Sequence, residues 1–89
     1  MSESDEAWPA SLSKNAAGYL AELPPPVQEL VRDALALASR APYGWPQWQP
    51  ADRDGEDVRV ARVGPITAVY WVNRTRRRLL VLDIVYLQI

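Results

Sequence analysis

The sequence contains no cysteine and no histidine. Without cysteine, the chain can form neither disulfides nor thiolate nucleophiles nor cysteine–metal bonds. Without histidine, it lacks the side chain that most often serves as a general base near neutral pH and most often binds zinc. The composition therefore argues against metal hydrolases and against enzymes built on a Ser/His or Cys/His pair, and we expect no metal and no cofactor.

Long apolar runs and glycine-rich loops are also missing. No run of about 18 apolar residues occurs, and the N-terminus reads MSESDEAW, which is acidic. We therefore expect no membrane span and no signal peptide, and hence a cytoplasmic location. Only four glycines occur in the chain, and they form no phosphate-binding loop.

The 89 residues are enough for one domain, which we expect over residues 7–89 after a disordered acidic tail over residues 1–6. Charge is unevenly distributed. Residues 1–57 hold four basic and ten acidic residues, a net charge of −6, whereas residues 58–89 hold six arginines and one acid, a net charge of +5. Guanidinium groups pair well with carboxylates, phosphates and stacked bases. The C-terminal third therefore suits an acidic partner or a nucleic acid, unless its arginines only solvate a small sheet.

The N-terminal half predicts a short strand and two helices. The strand is expected over residues 7–12, and Ser13 is a plausible N-cap for a helix over residues 14–23. The prolines at positions 24–26 end that helix and begin a second one, from Pro25 to about Ser39. Apolar residues recur at spacings of three and four in both helices, which is typical of an αα-hairpin lying on a sheet.

The stretch over residues 58–87 predicts an antiparallel meander with strands over residues 58–63, 66–72 and 77–87. Gly64-Pro65 and residues 73–76 supply the turns. Asp83 interrupts the last strand, and we expect it to face the rim of the sheet or a polar partner such as Arg59, Arg62 or the Trp71 indole. The order β-α-α-β-β-β predicts an α+β fold in which a helical hairpin packs on one face of a twisted, mainly antiparallel sheet.

The loop over residues 40–56 contains Tyr43, Trp45 and Trp48, which is unusual for a solvated connection. One interpretation is that these rings fold back over the end of the core. The other is that they form a stacking platform for bases or an anchor for a partner.

Three pieces of the chain form a wider pattern. The first is SLSKNAAGYLAELPPPVQELVRDALALASRAPYG, the second is Arg62-Val63-Gly64 followed by Tyr70, and the third is a charged hairpin tip that leads to an apolar strand from Arg76 to Leu87. In this order, over residues 10–87, they resemble the RelE/ParE superfamily of bacterial type II toxin–antitoxin toxins.

The resemblance implies a sheet with two N-terminal helices on one face and a concave opposite face. It also implies a toxin that is neutralised by a cognate antitoxin. Growth would be inhibited by metal-independent mRNA cleavage at the ribosome, or through gyrase as in the ParE branch. Only Arg62 and Tyr70 match the family pattern, and in the family those positions are largely structural. Val58 and Val60 occupy positions that carry basic residues in RNA-cleaving members, so the chain resembles a divergent member that lacks most of the nuclease residues.

Cleavage of RNA by its own 2′-OH requires stabilisation of the phosphorane and groups that move protons. The residues left as catalytic candidates are Arg59, Arg62 and Tyr86, so activity as an endoribonuclease stays an open question. Candidates for binding RNA or a partner are Arg74, Arg76, Arg77, Arg78, Trp45 and Trp48. The alternative is a catalytically inactive RelE-fold protein that acts as a binding or dimerisation module, with a dimer surface formed by Trp45, Trp48, Trp71 and residues 85–89.

Overall fold

The computed structural model describes residues 7–48 and 57–87. The acidic tail predicted over residues 1–6, the second half of the loop predicted over residues 40–56, and the last two residues lie outside this description. The elements are β1 (Ala10–Leu12), α1 (Lys14–Glu22), α2 (Pro25–Arg40), β2 (Val58–Val63), β3 (Ile66–Asn73) and β4 (Arg78–Tyr86). This is the predicted α+β order.

The four strands form one sheet in the order β1-β4-β3-β2. β2, β3 and β4 pair antiparallel as a meander, and β1 pairs parallel with β4. The first strand therefore rejoins the sheet only after both helices, as predicted. It begins at Ala10 and not at position 7, because the Trp8 N–H donates to the Ser39 carbonyl at the end of α2 and Pro9 has no N–H.

Both helices begin and end where local chemistry requires it. The Ser13 hydroxyl accepts a hydrogen bond from the Ala16 N–H (3.1 Å), which makes it the N-cap of α1. Leu23 is extended (φ −80°, ψ 148°) because it precedes a proline. The Gln28 amide donates to the carbonyls of Leu20 (3.1 Å) and Leu23 (3.0 Å), so α2 satisfies the open end of α1.

The core lies between the helix pair and one face of the sheet. α2 contributes residues at helical spacing, namely Val27, Val31, Ala34 and Ala38. The strands contribute alternate residues, of which the largest fully buried ones are Tyr70, Ile66, Leu79, Ile84, Val72 and Val81. Alternation in the strands thus gives one face to the core and leaves the other, here called the open face, turned away from the helices.

A β-bulge in β4 explains the position of Asp83. Val69 pairs with Asp83 but Tyr70 pairs with Val81, so Leu82 is the extra residue on β4. The extra residue reverses the alternation, and Asp83 points to the open face while its neighbour Ile84 is buried. The Asp83 carboxylate accepts a hydrogen bond from the Ile84 N–H (2.9 Å). Within the described residues no arginine pairs with Asp83, so that part of the prediction was wrong.

Candidate functional site

The open face of the sheet is mostly apolar. One row across it consists of Val58, Trp71 and Leu80, and the next consists of Val60, Val69 and Asp83. The segment before β2 extends the first row, because Gln47 bridges to Arg59 and the Trp48 N–H donates to the Val58 carbonyl (2.9 Å). Trp48 is 51% exposed and Trp71 is 40% exposed. Val60 and Val69 in the second row are buried (4% and 8% exposed), so the exposed apolar surface of this face comes mainly from the two indole rings, with the half-buried Val58 and Leu80 beside them. Exposed indole rings suit the binding of an apolar segment of a partner.

Positive charge on the open face is sparse. Arg62 pairs with Thr67 near one end of β3, and Arg78 pairs with Asn73 at the other end. Thr67 and Asn73 are six positions apart, so the two arginines are separated by about 20 Å along the strand. That separation is too large for both to stabilise one phosphate group.

Arg59 lies on the other face, the one that carries the helices, because it pairs with the core residue Tyr70. Its guanidinium donates to the Trp45 carbonyl (3.1 Å) and lies 5.2 Å from the centre of the Tyr43 ring. The Tyr70 hydroxyl donates to the Pro42 carbonyl (2.7 Å). Arg59 and Tyr70 therefore hold the segment after α2 against the sheet, a structural use of both side chains.

The β3–β4 turn carries the other arginines, and each has a different environment. Arg74 forms an ion pair with Asp57 (2.7 Å) and lies 5.4 Å from the centre of the Tyr43 ring. The Arg76 N–H donates to the Asn73 side-chain oxygen (3.1 Å), which shapes the turn while the Arg76 side chain is exposed. Arg77 adopts a left-handed conformation (φ 53°). It therefore belongs to the turn, and β4 begins one residue later than predicted.

The three residues proposed as catalytic from the sequence do not converge. Arg62 points to the open face, whereas Arg59 and Tyr86 are on the helix-covered face. Arg59 and Tyr86 share a face but are also far apart. Their β3 partners, Tyr70 and Ile66, are about 13 Å apart along the strand. Tyr86 packs against the core, and its N–H donates to the Tyr19 hydroxyl (3.2 Å). A nuclease centre made of these three groups has no geometric support.

Some aromatic residues of the loop fold back on the core and others are exposed, so each of the two interpretations holds for part of the set. Trp45 packs against the core, as expected of a ring that folds back. Tyr43 meets Trp8 edge-on, with ring centres 6.2 Å apart. Trp48 is the most exposed of the three and belongs to the open face. Of the residues grouped as a dimer surface, Trp48 and Trp71 share a face, and Trp45 does not join them.

Two tyrosines have raised pKa values. Burial raises the pKa of Tyr70 to about 12, opposed in part by the positive charge of Arg59. Partial burial raises the pKa of Tyr43 above its ordinary value of 10.0, and the negative charge of Asp57 raises it further while Arg74 and Arg59 lower it. Both hydroxyls therefore stay protonated at neutral pH. Among residues 7–48 and 57–87, no three acidic groups lie close enough to hold a metal ion.

Asp57 and Trp8 are the residues that sequence reasoning missed. Asp57 pairs with Arg74 across 17 positions, and Trp8 approaches Tyr43 across 35 positions. The only sequence signal for Asp57 was an acid just before a strand in a chain with a basic hairpin. In the described part of the chain, no helix is long and apolar enough to cross a membrane.

Comparison with known proteins gives no match by sequence, since neither a protein-family model nor a curated protein matches the chain. Solved structures do match. A chain of the RelBE2 toxin–antitoxin complex from Mycobacterium tuberculosis has a TM-score of 0.75 and 20% identity, covering 92% of this chain and 100% of that one. A chain of the intact Escherichia coli RelBE complex has a TM-score of 0.73 and 14% identity, covering 93% and 100%.

An archaeal RelE–RelB complex from Pyrococcus horikoshii is similar too, with a TM-score of 0.63 and 14% identity over 91% of this chain and 96% of that one. The two helices on a four-stranded sheet are thus the RelE fold, matched over nearly the full length. The resemblance predicted from the sequence is confirmed at the level of the fold.

Proposed function

We propose that this chain, which has the RelE fold, is the toxin component of a toxin–antitoxin pair. The observation that carries the proposal is the full-length likeness to chains of three toxin–antitoxin complexes. The isolated E. coli RelE toxin also matches, with a TM-score of 0.74 and 14% identity. The proposed partner is a cognate antitoxin, and the proposed compartment is the cytoplasm.

The open face is the proposed receptor for the antitoxin. Its row of Trp48, Val58, Trp71 and Leu80 offers apolar area across the sheet, and Arg62, Asp83 and Arg78 place single charges around that row. Aromatic residues that become buried at an interface contribute a large share of binding energy. An amphipathic antitoxin segment would bury both indole rings and meet the arginines with its acidic side chains.

The action on the cell is proposed to be growth inhibition by mRNA cleavage or through another target such as gyrase. Geometry favours a target reached by binding. The candidates Arg59, Arg62 and Tyr86 are dispersed over two faces, and the open face carries valines at positions 58 and 60. If RNA is cut, the exposed Arg62 remains the best placed of the three to contact a phosphate.

Expression with and without the neighbouring gene tests the proposal. We expect induced expression of the chain alone to arrest growth, and co-expression of the neighbouring gene to restore it. The integrity of total mRNA, measured in the same cultures, separates cleavage from other targets. Undisturbed growth at a verified level of folded protein would contradict the toxin proposal. If mRNA is degraded, an unaltered rate in an Arg62→Ala variant would remove that residue from the mechanism.

The docking face has its own test. We expect Trp71→Ala to weaken the complex with the antitoxin by about 30-fold, corresponding to about 2 kcal/mol for a central aromatic contact. Leu37→Ala is the matched control, because Leu37 is an exposed apolar residue on α2 (47% exposed), which packs on the opposite face. Equal affinities of the two variants, measured by calorimetry on the purified pair, would place the antitoxin elsewhere.

A second candidate function is a catalytically inactive binding or dimerisation module. The observation in its favour is the exposed pair Trp48 and Trp71 on a face that lacks a convergent set of catalytic groups. This candidate predicts a stable homodimer in solution and no effect of the chain on growth. A monomer by sedimentation together with growth arrest would exclude it.

A further inference from the structure

A second concave site lies away from the open face. It is a pocket of about 500 Å³ lined by Trp8, Tyr43, Arg74 and Arg77. These residues come from the segment before β1, the segment after α2 and the β3–β4 turn, so the pocket lies at the end of the sheet where those three segments meet. The pocket is shallow and wide open to solvent, so a ligand there would be contacted on one side only.

Three of the four lining residues are fixed by contacts outside the pocket. The Trp8 N–H donates to the Ser39 carbonyl (2.9 Å), and the Ser39 hydroxyl donates to the Trp8 carbonyl. Tyr43 follows Pro42, whose carbonyl is bound by the buried Tyr70 hydroxyl. The Asp57 carboxylate accepts hydrogen bonds from Arg74 Nε, which donates to both oxygens (3.0 and 3.1 Å), and from Arg74 Nη2 (2.7 Å). The rings and one guanidinium are thus held in place before any ligand arrives.

Arg77 is the exception in two ways. Its backbone is in the left-handed region (φ 53°), which glycine adopts easily and other residues adopt at a cost. Within the described parts of the chain, its guanidinium has no ion-pair or hydrogen-bond partner. The four-residue turn between Asn73 and Arg78 accounts for this conformation, so the notable feature is that the position carries a guanidinium at the edge of the pocket. A glycine would suit the turn better, and it would leave the pocket without this charge.

The charge and ring content of the site define its ligand. Arg59, Arg74 and Arg77 are close to the Tyr43 ring or the pocket, and Asp57 is the acid that opposes them among the described residues, for a net charge of +2. Guanidinium groups bind phosphate through paired N–H donors. An indole ring stacks on a base. The Tyr43 ring already meets two guanidinium groups, so the surface left for a base is the part of the half-buried Trp8 ring that lines the pocket and is not packed on the core or against Tyr43.

We propose that this pocket binds a nucleoside monophosphate, with its phosphate on Arg77 and Arg74 and its base on Trp8. The proposal goes beyond the proposed toxin function. None of the four lining residues belongs to the open face, whose Arg62 lies about 20 Å away along β3 and whose Trp71 and Arg78 lie near the same end of the sheet as the pocket. The same chemistry is offered by a free nucleotide and by the end of an RNA strand. The ligand is recognised by a phosphate and a planar ring together, and neither part alone satisfies the pocket.

Titration of the full chain with AMP, GMP, CMP and UMP, followed by NMR, tests the proposal. We expect saturable shifts of the Trp8 indole N–H and of the Arg74 and Arg77 side-chain signals, at concentrations up to roughly 10 mM, the weak end of small-ligand binding. Inorganic phosphate and adenosine are the two fragment probes, and each should bind at least about tenfold more weakly than AMP. A 5′-phosphorylated dinucleotide that binds no more weakly than AMP would assign the site to an RNA end, and a weaker one would assign it to free nucleotides.

Arg77→Gly is the decisive variant, because glycine accepts the positive φ and the fold should persist. We expect it to weaken AMP binding by about tenfold or more. Arg76→Gly, at the neighbouring exposed position that does not line the pocket, should bind AMP as the wild type does. Absence of saturable shifts at Trp8, phosphate binding as tight as AMP, or equal affinities of the two glycine variants would each overturn the proposal. The assay needs neither an antitoxin nor growth arrest, so its failure leaves the toxin proposal unaffected.

Discussion

Replacing Tyr70 by phenylalanine should make the protein less stable at neutral pH and more stable at alkaline pH. Tyr70 is fully buried, and its hydroxyl donates to the Pro42 carbonyl at 2.7 Å. At neutral pH, Tyr70→Phe removes this hydrogen bond, and we expect a loss of about 1 kcal/mol in the free energy of unfolding. The wild type is therefore the more stable protein at pH 7 to 9.

At alkaline pH, the order of stability of the wild type and the variant reverses. Burial raises the Tyr70 pKa from 10.0 to about 12 in the folded chain, so folding favours the neutral phenol. That contribution is fully present below pH 10 and is lost as the pH rises towards 12, because the unfolded chain releases the proton first. A shift of two units implies a loss of about 1.4 kcal/mol at pH 11 and about 2.3 kcal/mol at pH 12. Phenylalanine cannot ionise, so the variant should become the more stable protein above about pH 10.7.

Urea unfolding of both proteins at pH 8, 9, 10, 11 and 12 is the assay, and the difference between them is the quantity of interest. Groups common to both proteins, including Tyr43, cancel in that difference. We expect the difference to pass through zero between pH 10 and 11. A constant difference from pH 8 to 12 would refute the claim that Tyr70 is ionised more easily in the unfolded chain.

Two further predictions concern the joint between α1 and the bulge in β4. Ser13→Ala removes the acceptor for the Ala16 N–H and the donor to the Leu82 carbonyl (3.2 Å), so we expect a loss of about 1–2 kcal/mol in urea unfolding; an unchanged midpoint would contradict the capping role. Deleting Leu82 removes the bulge and lets simple alternation keep Asp83 on the open face and Ile84 in the core, so we expect a cooperative unfolding transition to persist; loss of a dispersed, native-like NMR spectrum would show that Leu82 does more than set the alternation of β4.

The course of the chain was predictable because it depends on local chemistry. Ser13 caps α1, the prolines end one helix and begin the next, and the bounds of β2 matched the prediction from Val58 to Val63. Each of these features is determined by residues that are close together in the sequence. The return of β1 to the sheet after two helices was predicted, but its parallel pairing with β4 was not, because nothing in the neighbouring residues specifies the partner strand.

The site was harder to predict because a single inserted residue decides which side chains share a face. Strict alternation through β4 would put Asp83 on the same side as Leu79 and Val81, in the core. The bulge at Leu82 has no distinct signature in an apolar run, and only the cost of a buried carboxylate hints at it. Likewise, Arg59 and Arg62 look equivalent in the sequence, yet an odd spacing of three places them on opposite faces.

Separation of these two faces gives the arginines different roles. Arg59 and Arg74 both lie over the Tyr43 ring, at 5.2 and 5.4 Å from its centre. Arg59 donates to the Trp45 carbonyl and Arg74 pairs with Asp57, so removing either should loosen the segment that carries Tyr43. Arg62 and Arg78 are exposed at opposite ends of the open face, and neither has an ion-pair partner in the part of the chain that the structure describes. Because the charges are dispersed there and gathered at the pocket, the open face suits an apolar partner and the pocket suits an anion. A chain with the RelE fold can thus keep a protein-binding face and an anion-binding pocket that do not compete for the same residues.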